Sequence, residues 1–488
     1  MSSWIALRTK IKTAVKRIAL QVGLYSLLVN LFGFLRGLQL KQANDQRYQQ
    51  RVKFWRNQKR LQRPRQKQYN FIWLIWDAWR ADYFNSTLTP SAWKLGEKGW
   101  RAPRHYTVSP WTWPTVNSLL TGLYPHQHGA RIEEDLKAFN RLNFPRLLPL
   151  SIPTFVDFLR PLGYHCRWLS SVVTADLALQ GIFPRSFRDQ VQWDNQPFAK
   201  LRNKAQQFIR QHKQEPFFLY LHAGDLHMPI QVPRRYLENE SSPSSPWARI
   251  DYFENQPQGD FAAHQKRRQQ FYRAALRYLD DQLQQFLSFL ESENLWSKTI
   301  IFLSADHGEE MGDHRALEEK IFQRYRPHLL GREHGYSLFE EIIRVPAVLA
   351  GGKLKKKLIT APTHHLDLLP TLFALQGWPA DSSFSGVSWL EEPTPRALFV
   401  EECAYGYEQK AVIKEQDKLI HSAGYNFEIY ENLATGQLQI LDPKKNYPAP
   451  IPELRQLLQK FSRREQQKGE KTKTNAAIKN RLSRLGYL

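Results

Sequence analysis

The apolar run Thr299-Ile300-Ile301-Phe302-Leu303 leads into Ser304-Ala305-Asp306-His307-Gly308-Glu309, which sets a carboxylate and an imidazole on adjacent residues just past a β-like segment. Such a pair can grip one divalent cation, and a cation there can polarise a phosphoryl or sulfuryl oxygen. A second segment, Asn70-Phe71-Ile72-Trp73-Leu74-Ile75-Trp76, also ends on a carboxylate, Asp77, followed by Ala78-Trp79-Arg80-Ala81-Asp82. In Ser109-Pro110-Trp111-Thr112-Trp113-Pro114-Thr115-Val116 a hydroxyl sits between prolines, ahead of an apolar helix-like stretch that runs to Gly122. A loop-to-helix start offers backbone N–H groups to an anion and makes Thr112 a candidate nucleophile. The same Thr also reads as a helix N-cap.

The elements that must carry these residues are legible as apolar runs. Phe71–Trp76, Phe217–Leu221, Ile300–Leu303 and Val345–Ala350 predict a parallel-dominated sheet covered on both faces, with helical stretches such as Gln265–Ser292 as crossovers. In open sheets of that kind, ligands collect beyond the carboxyl ends of the strands. After Asp367 the runs shorten, to Ala397–Val400, Lys410–Ile413 and Lys418–Ile420, and Ser241–Pro246 reads as an exposed loop near the site's mouth.

Taken in order, these segments resemble the sulfatase family of the alkaline phosphatase superfamily. The resemblance extends to Leu120-Thr121-Gly122-Leu123-Tyr124-Pro125-His126-Gln127-His128-Gly129, to the strand and turn Phe217–Pro229 with its Asp225-Leu226-His227-Met228-Pro229, and to Tyr272–Asp280. It continues through His334–Pro346, Asp367-Leu368-Leu369-Pro370-Thr371 and the closing Leu485-Gly486-Tyr487-Leu488, so it covers roughly residues 68 to 488. It implies an α/β fold, with an alkaline-phosphatase-like, mostly parallel central sheet sandwiched by helices and a small C-terminal antiparallel sheet subdomain. The implied division is a basic N-terminal segment (1–67), a catalytic domain (68–380), a small-sheet subdomain (381–450) and a basic helical tail (451–488). The resemblance further implies one divalent metal held by Asp77, Asp306 and His307 and completed by Thr112. His227 would be the general acid, and His334 would stand where many sulfatases carry a substrate-binding Lys. An imidazole ligand leaves Zn²⁺ and Mn²⁺ open beside Ca²⁺. His222, His364 and His365 lack comparable support.

The departures narrow the chemistry. A typical sulfatase carries Cys or Ser in Cys/Ser-x-Pro-x-Arg, for oxidation to formylglycine; here Thr112 and Val116 occupy the first and last positions. Thr cannot follow that route. Ala78 stands where many sulfatases have a further acidic ligand, and His307 replaces their common Asn. A Thr-centred set looks closer to the phosphonate and phosphodiester hydrolases and to the phosphoethanolamine and lipoteichoic-acid phosphoglycerol transferases of the superfamily. The expected activity is therefore metal-dependent hydrolysis of sulfate or phosphate esters through a Thr nucleophile. A membrane headgroup transferase, or a silent relative binding polyanions or lipids, are the alternatives.

Charge and hydropathy speak to partners. The formal net charge of +23 arises from 69 Lys and Arg against 46 Asp and Glu and concentrates in residues 8–67 and from Arg455 to Arg484. Ile18–Leu35 carries no charge and is flanked on both sides by Lys and Arg, including Arg47 and Arg51. It reads as a membrane anchor, an interfacial helix or a docked helix; no small-residue cleavage pattern follows it, as a signal peptide would require. The basic flank favours the cytoplasmic face, with the extracytoplasmic face the alternative because relatives that work on surface polymers face outward. An anionic membrane surface is the expected macromolecular partner, and a sulfated or phosphorylated glycan, lipid or small ester the expected substrate. No nucleic-acid-binding module is present. Two cysteines, Cys166 and Cys403, make no disulfide framework.

Overall fold

The computed structural model describes residues 42–56, 58, 69–133, 136–138, 144–184, 197–237, 245–251, 260–322, 334–391, 395–464 and 466–470. The apolar segment Ile18–Leu35, the loop Ser241–Ser244 and the closing Leu485–Leu488 lie outside them. Among the described residues no helix is long and apolar enough to cross a membrane.

Seven strands form the central sheet: β1 (Asn70–Trp76), β2 (Trp100–Arg101), β3 (His165–Ser170), β4 (Phe217–Ala223), β5 (Thr299–Ser304), β6 (Ala347–Gly351) and β7 (Lys357–Leu358), in the order β7-β2-β6-β5-β1-β4-β3. The four strands β5, β1, β4 and β3 pair in parallel. β6 is antiparallel to both β5 and β2, and β7 is parallel to β2, so only β6 runs backwards. The apolar runs of the sequence thus become a mostly parallel sheet with one reversed strand.

Strand β1 shows why continuous apolar runs were needed. Phe71, Trp73 and Ile75 face one hydrophobic cluster, and Ile72, Leu74 and Trp76 face another. Alternate side chains point to opposite faces of a strand, so both faces of β1 are buried. Among the helices, α1 covers residues 42–55 and α2 spans Pro90–Lys98. They are followed by α3 (Thr112–Thr121), α4 (Phe198–His212), α5 (Phe261–Ser292) and α6 (Leu368–Gln376). The first cluster draws on α3 and α6, and the second on α2, α4 and α5.

A second sheet follows, purely antiparallel and in sequence order: β8 (Ala397–Val400), β9 (Lys410–Lys414), β10 (Asp417–Ser422), β11 (Phe427–Asn432) and β12 (Gln437–Leu441). One face packs on Tyr336, Leu338, Phe339 and Ile342, just after His334; the other packs on helix α7 (Ile451–Ser462). Cys166 and Cys403 are buried in separate clusters and form no disulfide.

Helix α1 docks part of the basic N-terminal segment on the domain. Arg51 is 1% exposed, its Nε donates to Asp157 Oδ2 at 2.7 Å, and a second guanidinium nitrogen donates to the carbonyl of Ile152. Trp55 Nε1 donates to the carbonyl of Leu150 at 2.9 Å. A charge this deep is retained only when paired, so Arg51 fastens α1 to the domain and adds nothing to surface charge.

Candidate active site

The carboxyl ends of β1, β4 and β5 converge on one group of buried polar side chains. Asp77 directly follows β1, and its N–H donates to the carbonyl of Ala223 at the end of β4. Asp306 and His307 follow β5, and His222 is the penultimate residue of β4. One donor atom each from Asp77, His222 and Asp306 lie within 4.8 Å of one another. His307 Nε2 is 3.4 Å from Asp77 Oδ1 and 3.4 Å from Asp306 Oδ2. Asp77, His222, Asp306 and His307 are all 0% exposed.

The backbone is shaped to hold this arrangement. Ala78 takes φ 63°, a left-handed conformation that costs a non-glycine residue energy, and its N–H donates to Asp306 Oδ1 at 3.3 Å. Tyr272 Oη donates to the carbonyl of Ala78 at 2.6 Å and so holds the turn. The position where an acidic ligand was missed therefore contributes through its backbone. Beside His307, a Cβ on Gly308 would come 1.9 Å from the carbonyl oxygen of Glu341, so only glycine lets the two segments approach.

Hydrogen bonding orients His307. Its Nδ1 donates to the carbonyl oxygen of Gly308 at 2.8 Å, which aims Nε2 at two carboxylates. Asp306 Oδ2 and His222 Nε2 likewise face each other at 3.5 Å without a well-directed hydrogen bond. Such a convergence of acceptors is repulsive unless a proton or a cation lies among them. Two carboxylates and two imidazoles fit one divalent cation, and Nδ1 anchoring is how metal-ligating histidines are usually held. Burial works against ionised Asp306, yet His307 and His222 hold its carboxyl well below the usual range.

Thr112 reaches the group from the start of α3. The N-cap of that helix is Trp111, in extended conformation, and Thr112 is the first helical residue. Thr112 thus stands one position past the cap, and its side chain is not the helix cap. Its hydroxyl instead lies 3.2 Å from His307 Nε2. The loop before it is clasped by Glu402, whose carbonyl accepts from Ser109 Oγ at 2.9 Å and from Trp111 Nε1 at 2.7 Å. Val116 points away into the apolar core.

Two more imidazoles close the site. The rings of His307 and His334 are 4.1 Å apart between centroids, and those of His334 and His227 are 5.0 Å apart. His227 and His334 keep 9% and 8% exposure against zero for Asp77, His222, Asp306 and His307, so they lie on the solvent side of the group. His227 Nδ1 is fixed by the carbonyl of Met228 at 2.5 Å, and His334 Nδ1 by Glu309 Oε1 at 3.1 Å. Burial first, and then the neighbouring imidazoles, push both rings well below the ordinary histidine range.

The structure thus brings together Asp77, Thr112, His227, Asp306, His307 and His334, all singled out from sequence. It adds His222, Glu309 and Arg268, whose Nη2 lies 3.2 Å from Glu309 Oε2. His222 was the one polar residue in an otherwise apolar strand, which is the signal that could have promoted it. His364 and His365 stay outside: His364 turns to Tyr124 Oη and Asp367, and His365 packs on His105.

Comparison with known proteins is consistent with this geometry. The sulfatase family model matches residues 69–378. An uncharacterised sulfatase of Escherichia coli K12, YidJ, is 22% identical over 370 residues, which is 64% of this chain and 68% of that one. An N-acetylgalactosamine-6-O-sulfatase of Bacteroides thetaiotaomicron is 27% identical over 39% of this chain, but over only 33% of its own length. Among solved structures, the phosphonate monoester hydrolase of Silicibacter pomeroyi superposes with a TM-score of 0.62 at 17% identity, covering 81% of this chain and 95% of that one.

Proposed function

Because this chain belongs to the sulfatase family of ester hydrolases, we propose that it cleaves sulfate or phosphate esters with Thr112 as the nucleophile. The observation that carries this reading is the placement of Thr112 Oγ1, 3.2 Å from His307 Nε2, at the mouth of the Asp77–Asp306–His222 group. A divalent cation bound there by Asp77, Asp306 and His307, with His222 beside Asp306, would supply charge neutralisation for the ester's non-bridging oxygens and a lowered pKa for a neighbouring hydroxyl.

The side chains divide the remaining work. Thr112, at a helix start whose N–H groups favour anions, reacts as the alkoxide left once its hydroxyl proton has gone to solvent, and forms the new bond to sulfur or phosphorus as the bond to the alcohol breaks. His227, with Nδ1 tied to Met228, has Nε2 to carry a proton to the departing oxygen and, in the second half, to take one from water. The hydroxide so formed then cleaves the Thr112 ester and restores the alkoxide. His334, held by Glu309, meets charge building on the non-bridging oxygens. A sulfated glycan substrate is supported by the relative named for N-acetylgalactosamine-6-O-sulfate. Phosphoester cleavage is favoured by Thr112 itself, which cannot become formylglycine.

The test compares the purified chain with Thr112→Ala on an aryl sulfate, an aryl phosphate monoester and an aryl phosphodiester, each with Ca²⁺, Mn²⁺ or Zn²⁺. Release that disappears in the variant while metal content is retained supports the reading. Turnover unchanged by Thr112→Ala would refute it.

A further inference from the structure

We propose that His165, His212 and Glu215 form a second metal site, for a borderline divalent cation such as Zn²⁺, at the opposite end of the central sheet from Asp77 and Asp306. His165 opens edge strand β3, His212 closes helix α4, and Glu215 lies in the turn leading into β4. One donor atom from each lies within 4.8 Å of the others. The two imidazole rings stack with centroids 4.1 Å apart and planes at 24°, and His165 Nε2 contacts Glu215 Oε2.

The frame around the three is built from backbone. The N–H of His165 donates to the carbonyl of Pro216 at 2.9 Å, and that of Glu215 donates to the carbonyl of His212 at 3.0 Å. His165 also pairs with Phe217 in the parallel ladder between β3 and β4. The end of α4, the start of β3 and the turn leading from α4 into β4 are thereby held in fixed relation, which brings three donors to one point without further folding. Two neutral imidazoles and a carboxylate suit Zn²⁺, Ni²⁺ or Cu²⁺, whereas Ca²⁺ and Mg²⁺ prefer all-oxygen sets.

Accessibility fits a surface-fed ion. The side chains of His165 and Glu215 are 40% and 58% exposed, and the two histidines border a cavity of about 500 Å³ lined also by Arg167, Lys204 and Gln207. Burial and the neighbouring His165 lower the pKa of His212, which keeps that ring in the neutral form a metal needs. A cation at this point would tie edge strand β3 to helix α4 and stabilise the folded chain by mass action. The competing account is a His165–Glu215 ion pair with His212 merely stacked on it.

The full-length chain, stripped with a chelator and reloaded with Zn²⁺ alone, distinguishes the two. Zinc is counted by mass spectrometry after desalting, and the unfolding temperature is measured with and without Zn²⁺. The double variant His165→Gln/His212→Gln is expected to bind one equivalent fewer than wild type and to lose part of the zinc-dependent rise in unfolding temperature, with Asp77 and Asp306 untouched. Glu215→Gln, which keeps both imidazoles, is expected to weaken zinc at this site, and it serves as the test should the double variant not fold. Equal zinc counts and equal thermal shifts in wild type and in the variants that fold would overturn the proposal.

Discussion

Glu309→Gln is the sharpest test of how the site's histidines are used. Glu309 is fully buried; one carboxylate oxygen lies 3.1 Å from His334 Nδ1 and the other 3.2 Å from Arg268 Nη2. Burial pushes the Glu309 carboxyl up to about 7, so it is charged above that pH, where the assay is run; Gln has the same shape and keeps one acceptor oxygen, so the substitution removes that charge from both His334 and Arg268 and opens no cavity. A hydrogen bond to a charged group contributes about 1.5–3 kcal/mol, which at 1.36 kcal/mol per decade is about 10- to 150-fold in rate. If His334 becomes an imidazolium against the ester's oxygens, that loss falls on kcat/KM, because the Glu309 charge matters most when His334 is charged. The assay is a double-mutant cycle of Glu309→Gln and His334→Ala, scored by kcat/KM on a cleavable aryl ester and checked by thermal unfolding. The reasoning expects Glu309→Gln to cost little once His334 is gone. An undiminished loss in the His334→Ala background would show that Glu309 serves Arg268 and the fold, and the assigned role of His334 would fall with it.

Three further outcomes are expected. Chelation should abolish turnover and added divalent cation restore it, while His222→Ala should weaken metal binding about 10- to 100-fold by chelator competition, the usual cost of losing a group that orients a ligand; unchanged affinity would remove His222 from the site. His227 must be protonated to donate, and its pKa is lowered well below the ordinary histidine range by burial and by His334, so kcat/KM on an alkyl ester should fall with rising pH from below that range upward. That slope should be shallow for an activated aryl ester and absent in His227→Ala; a slope that survives the substitution assigns it to another group. Asp157→Ala strands the Arg51 charge inside the domain and should cost about 3–5 kcal/mol in denaturant unfolding, against a smaller loss for Arg51→Met, which removes the buried cation itself; equal, small losses would mean that α1 is not anchored there.

What could be read in advance follows from range. Local signals sufficed for the strands, because a segment such as Phe71–Trp76 is apolar at every position only when both faces are covered. They sufficed also for Asp77, Asp306 and His307, which stand at the ends of such runs. His222 escaped because its role depends on register: Ile75 pairs with both His222 and Ser304, and nothing near His222 in sequence records that neighbour. Glu309 was in plain view, but its partners His334 and Arg268 come from distant segments. The role of Arg51 stays hidden for the same reason, since nothing in its basic stretch records Asp157, its distant partner.

The carbonyl of Glu402 receives Ser109 and Trp111 across 293 and 291 positions of chain. Synthesis from the amino end at roughly 5–20 residues per second leaves about 15–60 s between the emergence of Thr112 and that of its clasp. For that interval the loop before Thr112 keeps its local ties, the Thr107 and Thr115 hydroxyls on the carbonyls of Ser109 and Trp111, and lacks its long-range clasp. The last tie on the loop of the candidate nucleophile thus waits until most of the polypeptide has been made.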